Sequence, residues 1–187
     1  SLLDEVRRKV KEVEDRLRKL VKDSHELSRR LIEEVERLTK TSHELSRRLI
    51  EELRELLKRT RTEELVKKVE EIVKELLRRL EETDKRSIER TEELLEELRE
   101  TDRRVVEEAK RLVKEVEDEA RRIKERVPDK DLRDILRKLR EVLEEIERRL
   151  RKNTEDVKKV VDDDRKRNKD NTDEVRKAIR EIEERLR

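Results

Sequence analysis

The chain contains no glycine, cysteine, methionine, phenylalanine, tyrosine or tryptophan, and only one proline. Each absence removes a class of chemistry. Without cysteine there are no disulfides and no thiolate metal sites. Without glycine there is no phosphate-cradling loop, and without aromatic rings there is no platform on which nucleobases stack. No apolar run approaches the roughly 20 residues that span a bilayer, and no secretory leader is expected. A natural chain of this length, at about 7% glycine and 5% proline, would carry roughly 13 and 9 of them. The expectation is a soluble chain with no native compartment, cytoplasmic if expressed in a cell, that carries architecture and no natural activity.

What is present is charge. Of 187 residues, 59% are Asp, Glu, Lys or Arg, and 56 basic side chains face 54 acidic ones for a formal net charge of +2. The two signs alternate at helical spacing, as in Glu33, Glu34, Glu36, Arg37 and again in Glu51, Glu52, Arg54, Glu55. A nucleic-acid or anionic-membrane partner calls for a face of one sign, so neither is expected. These strings read as solvated helix faces supported by i,i+4 pairs worth about 0.2–0.5 kcal/mol each.

Such a charge content also suits a disordered chain, and apolar periodicity decides against that. One stripe runs from Leu3 through Val6, Val10, Val13, Leu17, Leu20, Leu31, Val35 and Leu38 to Leu56. A second runs from Val66 through Val73, Leu80, Leu98, Val105 and Leu112 to Ile123, and a third from Leu132 through Leu139, Val142, Ile146 and Val161 to Leu186. Between the first two the phase slips by two residues, about 200° of helix rotation, so a turn near 60–62 is expected. Thr60 and Thr62 stand there as caps ahead of the acidic Glu63 and Glu64. Pro128 marks the second break, because it disfavours helix in Val127 before it. The spacing predicts an all-α, elongated up-down-up three-helix bundle forming a single domain over 1–187. Its helices run over about 2–59, 62–126 and 129–187, each about 85–95 Å long at 1.5 Å per residue.

An 18-residue repeat runs through the chain. SHELSRRLIEE occurs at 24–34 and again at 42–52; Thr83-Asp84 recurs as Thr101-Asp102, and Asn153-Thr154 as Asn171-Thr172. Eighteen residues are five turns at 3.6 per turn, between the periods that wind helices left- or right-handed, so the bundle is expected to be nearly untwisted. The repeat also predicts which residues lie level. Asp102 with Thr154, and Asp84 with Thr172, have residue numbers adding to 256, close to the 255 that the Pro128 turn requires. Between the first and third helices the expected offset is 129, from His25 to Thr154 and from His43 to Thr172. The first and second helices fit less well. His25 with Asp102 adds to 127 where a turn at 60–62 calls for about 122, a mismatch of roughly 7 Å.

The polar residues at or beside the seams are Ser24, His25, Ser28, Thr39, Ser42, His43, Ser46, Thr83, Asp84, Ser87, Thr91, Thr101, Asp102, Asn153, Thr154, Asp164, Asn168, Asn171 and Thr172. Buried without partners they would cost more than the net stability of a typical domain, about 5–15 kcal/mol. They are therefore expected to bond to one another or to water, as two repeated layers and a central one of Thr39, Ser87, Thr91, Asp164 and Asn168. Misaligned polar layers penalise wrong registers. Catalysis is the sharper alternative, with Ser24 or Ser28 as nucleophile, His25 as base and Asp102 as its orienter. It lacks an oxyanion hole, because amides in mid-helix are already bonded. The two histidines, about 27 Å apart along one helix, cannot share a metal ion. No catalytic, metal or cofactor site and no small-molecule substrate is expected.

This vocabulary of Glu, Lys, Arg, Leu, Val and Ile, with the doubled SHELSRRLIEE block, resembles computationally designed helical bundles that carry modular buried hydrogen-bond networks. The resemblance covers the whole chain and implies a scaffold without a natural substrate, most simply a monomer. A second reading is an interaction module, homo-oligomeric or part of a designed hetero-oligomer, and Leu27, Ile32, Leu45 and Ile50 widen the apolar arc enough to support it. Spectrin-type repeats are a weaker third reading, since their aromatic anchors are missing. One stretch stands out as soft: positions 162–174 hold no apolar residue and are rich in the poor helix formers Asp and Asn. Amide hydrogen exchange is expected to be faster there than at Leu139–Ile146, and equal protection in the two stretches would refute it.

Overall fold

The computed structural model describes residues 1–59 and 63–186. Three helices make up the chain, α1 (Leu2–Arg59), α2 (Glu63–Ile123) and α3 (Asp129–Leu186), and no strand occurs among the described residues. The turn expected at 60–62, with Thr60 and Thr62 as its caps, lies outside the described residues, as does position 187. α1 opens on a reciprocal cap. The Asp4 amide donates to Ser1 Oγ at 3.3 Å, and that hydroxyl donates to Asp4 Oδ2 at 2.9 Å, satisfying amides that a helix start leaves unpaired.

α2 stops at Ile123, three residues before the end expected near Arg126. Pro128 has no N–H to return to the Lys124 carbonyl, so the i→i−4 ladder has no continuation there. The chain tightens into i→i−3 bonds instead, Lys124 N to Arg121 O at 3.4 Å and Arg126 N to Ile123 O at 2.9 Å. The Pro128 carbonyl then accepts the first bond of α3 from Leu132 N at 3.4 Å.

The helices assemble as two compact units, one of residues 1–30 with 95–157 and the other of 31–94 with 158–187. The core of the first joins Val6, Val10, Val13, Leu17 and Val21 of α1 to Val105, Ala109, Val113, Val116 and Ala120 of α2 and to Leu132, Leu139, Leu143, Ile146 and Leu150 of α3. The stripes differ here from the sequence reading. Leu112 and Val142 are only partly covered, whereas their neighbours Val113 and Leu143 are buried together with the small Ala109 and Ala120. An alanine contributes little to an apolar stripe, but it lets another helix approach closely.

In the second unit the apolar core is shorter: Leu53 of α1 packs with Val69, Val73, Leu76 and Leu80 of α2 and Val175, Ile179 and Ile182 of α3. The same unit buries Thr39, Ser42, Ser46, Thr91, Asp164, Asn168 and Thr172. Its apolar side chains are also less well covered, since Leu45, Leu56, Leu65, Ile72 and Ile88 are all exposed. Ion pairs line the seams of both units. Arg140 grips Glu117 through two bonds of 2.6 and 3.0 Å in the first, and Arg90 meets Glu34 at 3.1 Å in the second. Exposed pairs of this kind are worth about 0–1 kcal/mol, so burial carries the stability. Leu139→Ala, at a position 0% exposed, is expected to cost about 2–5 kcal/mol. Leu45→Ala, at 44% exposure, should stay within about 0.5 kcal/mol. Urea midpoints of the two variants check the contrast.

Candidate functional site

The helix interiors carry two polar clusters, one in each unit. In the first, the Asp102 carboxylate of α2 accepts from both other helices: Ser24 Oγ of α1 donates to Oδ1, and Thr154 Oγ1 of α3 donates to Oδ2 at 2.6 Å. Asn153 Nδ2 donates to Ser28 Oγ, whose own proton goes to the Ser24 carbonyl at 3.0 Å. Ser24, Ser28 and Asp102 are buried, and Asn153 and Thr154 are half-buried. A carboxylate offers only acceptors, and here two hydroxyls on different helices supply the donors.

In the second unit, Thr39 Oγ1 of α1 reaches Asp164 Oδ1 of α3 and also the Val35 carbonyl at 3.1 Å. Its single proton favours the charged acceptor. His43 Nε2 lies 3.2 Å from Asn168 Oδ1, with the ring as donor in this amide orientation. Thr172 Oγ1 of α3 donates to Asp84 Oδ2 of α2 at 2.5 Å. Ser46 donates to the Ser42 carbonyl at 2.9 Å and Thr91 to the Ser87 carbonyl at 2.6 Å. These last two satisfy themselves within one helix turn, the common recourse of Ser and Thr in mid-helix. Their spacing from carbonyls four residues back was the signal for it, and pairing across helices does not require them.

The two copies of the repeat are therefore unequal. Ser24, Ser28, Asp102, Asn153 and Thr154 join three helices, whereas among the described residues their equivalents Ser42, Ser46, Asp84, Asn171 and Thr172 are tied across helices only by the Thr172–Asp84 bond. Thr83, Thr101 and Asn171 are half-buried, and no side-chain hydrogen bond among the described residues joins them to a neighbour. The same holds for His25, which is exposed. At about 80° from the centre of the buried stripe it lies where a side chain turns outward as easily as inward, and no carboxylate draws it in. The Ser–His–Asp relay is thus not assembled, because the Ser24 proton goes straight to Asp102. No group of three His, Cys, Asp or Glu among the described residues could hold a metal ion.

Register is the second correction. Ser28–Asn153, Thr39–Asp164 and His43–Asn168 all bond at an offset of 125 residues, not the 129 expected between the first and third helices. Four residues are about one helical turn, or 6 Å. The expected offset was anchored on His25 and His43, which lie one residue past the serines that face the interior. Asp102 with Thr154 and Asp84 with Thr172, the pairs whose residue numbers add to 256, are hydrogen-bonded.

Burial pushes the Asp84 carboxyl above its ordinary value of 3.8, against the Thr172 bond and the nearby His43 and Arg176, while Glu81 adds to the rise. Asp164 rises for the same first reason, against the Thr39 bond, His43 and Arg167, with Glu36 adding to it. On the surface the sign reverses at Glu75, which the guanidinium groups of Arg78 and Arg79 hold at about 2. A carboxyl whose folded value is raised binds its proton first in the folded state. Its charged form costs stability at all pH above that folded value, and the cost is relieved as pH falls through it toward 3.8. The Glu75 contribution runs the other way, present above its ordinary 4.5 and lost as pH falls toward about 2. Asp164→Asn and Asp84→Asn are each expected to raise the urea midpoint at pH 7, by an amount that shrinks as pH is lowered toward 4. A midpoint gain unchanged by pH would contradict this.

No protein-family model and no curated protein sequence matches the chain. Among solved structures, one described as a "Computationally designed three helix bundle" is similar over 98% of this chain and 90% of its own, with a TM-score of 0.62 and 19% sequence identity. At that identity the likeness is one of fold: the chain is an all-α three-helix bundle.

Proposed function

We propose that the chain is a designed structural scaffold with no natural substrate, in which buried polar clusters decide which helix faces meet and in what register. The observation that carries this reading is Asp102, one buried carboxylate whose two oxygens are satisfied by α1 and α3 at once. Apolar packing gains about 25 cal/mol per Å² wherever oily faces meet and discriminates poorly between alignments. A carboxylate removed from its donors is penalised heavily, so each cluster makes one alignment preferable to its neighbours. The restricted residue alphabet, the identical eleven-residue blocks and the likeness in fold to a designed bundle support the same reading. Such a scaffold has no enzymatic activity, cofactor, nucleic-acid partner or membrane partner.

The second reading, an interaction module, is favoured by a different observation: the exposed Leu45, Leu56, Leu65, Ile72 and Ile88 all belong to the second unit. Light scattering separates the two, because a scaffold complete in itself stays at the mass of one chain and a module that covers these side chains does not.

The test of the main reading removes every cluster together. Ser24 and Ser42 become Ala, Thr39, Thr154 and Thr172 become Val, and Asp84, Asp102 and Asp164 become Leu. Replacing all partners of a buried network by apolar groups is often neutral or stabilising, so thermal stability should not fall. Uniqueness should: more than one species by light scattering and more than one amide resonance per residue. A variant that remains a single well-ordered species would overturn the proposal.

A further inference from the structure

The repeat that makes the polar layers also makes them ambiguous. In the observed register α1 and α3 align at an offset of 125, with Ser24 bonded to Asp102 of α2. Displace α1 by one repeat, to an offset of 143, and Ser24 and Ser28 come level with Asp84 and Asn171, residues of the same types in the same order. Displace it the other way, to 107, and Ser42 and Ser46 come level with Asp102 and Asn153. The apolar stripes survive both moves, because 18 residues are a whole number of turns. Neither the repeated layers nor the packing phase can tell these three registers apart.

Thr39 and Asp164 can, since neither is repeated 18 residues away. In the first displacement Thr39 comes level with Ile182 and Asp164 with Val21; in the second they face Ile146 and Leu57. Either way the buried Asp164 carboxylate loses its hydroxyl donor and gains an apolar neighbour. His43–Asn168 lacks this power, because the first displacement brings His25 level with Asn168. Thr91 and Ser46 are indifferent, as their protons go to their own helix.

Building on the reading of the clusters as register devices, the geometry points to Thr39–Asp164 as the one polar contact that breaks the degeneracy of the repeat and selects the native alignment of α1. Within one copy the displacement is already forbidden. The four peptide links from Arg59 to Glu63 span at most about 14 Å, against an 18-residue shift of about 27 Å. The registers that Thr39–Asp164 excludes are therefore those between copies, where α1 of one chain lies on α2 and α3 of another and a staggered, open-ended assembly grows.

Two full-length variants test this, each beside the parent and the fully apolar variant. One removes the contact alone, Thr39→Val with Asp164→Leu. The other keeps it and makes only the repeated layers apolar, at Ser24, Ser42, Asp84, Asp102, Thr154 and Thr172. Each is measured by light scattering over a wide concentration range. Each is also measured by thiol bridging with Glu14→Cys and Lys138→Cys, which lie level to within one residue at the observed offset and part in a displaced one. The first variant is expected to self-associate with concentration and to bridge incompletely within a copy; the second is expected to stay a single species that bridges as the parent does. If the first stays single or the second spreads, while the fully apolar variant spreads, the assignment to Thr39–Asp164 is wrong and the general role of the clusters stands. If the fully apolar variant stays single, both fall. Should Leu at 164 prevent folding, the second variant decides alone, because spreading there overturns the assignment.

Discussion

A carboxylate inside a helical bundle has nothing to offer but lone pairs, so its neighbours must bring the protons. The polar interior of this chain is organised by that requirement. Around Asp102 it is met in full, with a serine from one helix and a threonine from another aimed at separate oxygens. Around Asp84 and Asp164 each carboxyl receives one hydroxyl, and burial leaves both harder to ionise than an Asp in water. Ionisation, alignment and packing are thus consequences of where a few hydroxyl donors sit along each helix.

The two compact units solve the same packing problem with different materials. The first draws most of its interior from Val, Leu, Ile and Ala, and its few buried polar groups are tightly bonded. The second gives much of its interior to hydroxyl, amide and carboxyl groups and leaves several large apolar side chains in water. Apolar area left exposed forfeits its transfer free energy, and polar groups brought inside recover little more than they lose by leaving water. Surface ion pairs, abundant in both, do little to change that balance.

Repetition has a physical consequence of its own. A layer copied 18 residues along a helix doubles the number of polar contacts, but it also supplies the wrong partner at the same rotational phase. Contacts that follow the repeat hold the helices together without saying where, whereas a contact outside the repeat carries positional information. Hydroxyls that bond to their own helix carry none, since they are satisfied in every alignment.

Much of this was legible in the residues. Stripes at a 3.6 period announce three amphipathic helices, and Pro128 locates one reversal because a residue without an amide proton cannot extend the ladder. The distance of the Thr-Asp and Asn-Thr pairs from that reversal sets Asp102 level with Thr154. Three things were not legible. Whether Leu112 or Val113 lies deeper depends on how closely a neighbouring helix approaches, and Ala109 and Ala120 decide that without adding to the hydrophobic signal. Whether His25 turns inward depends on what stands opposite a residue on the flank of its stripe. The one-turn difference in the alignment of α1 and α3 depends on which member of each Ser-His pair faces inward. Periodicity along a chain determines the phase of each helix about its own axis, because burial selects a face. Only the packed structure decides the height at which one helix meets the next, because that is a balance among donors, acceptors and side-chain volumes contributed by all three helices at once.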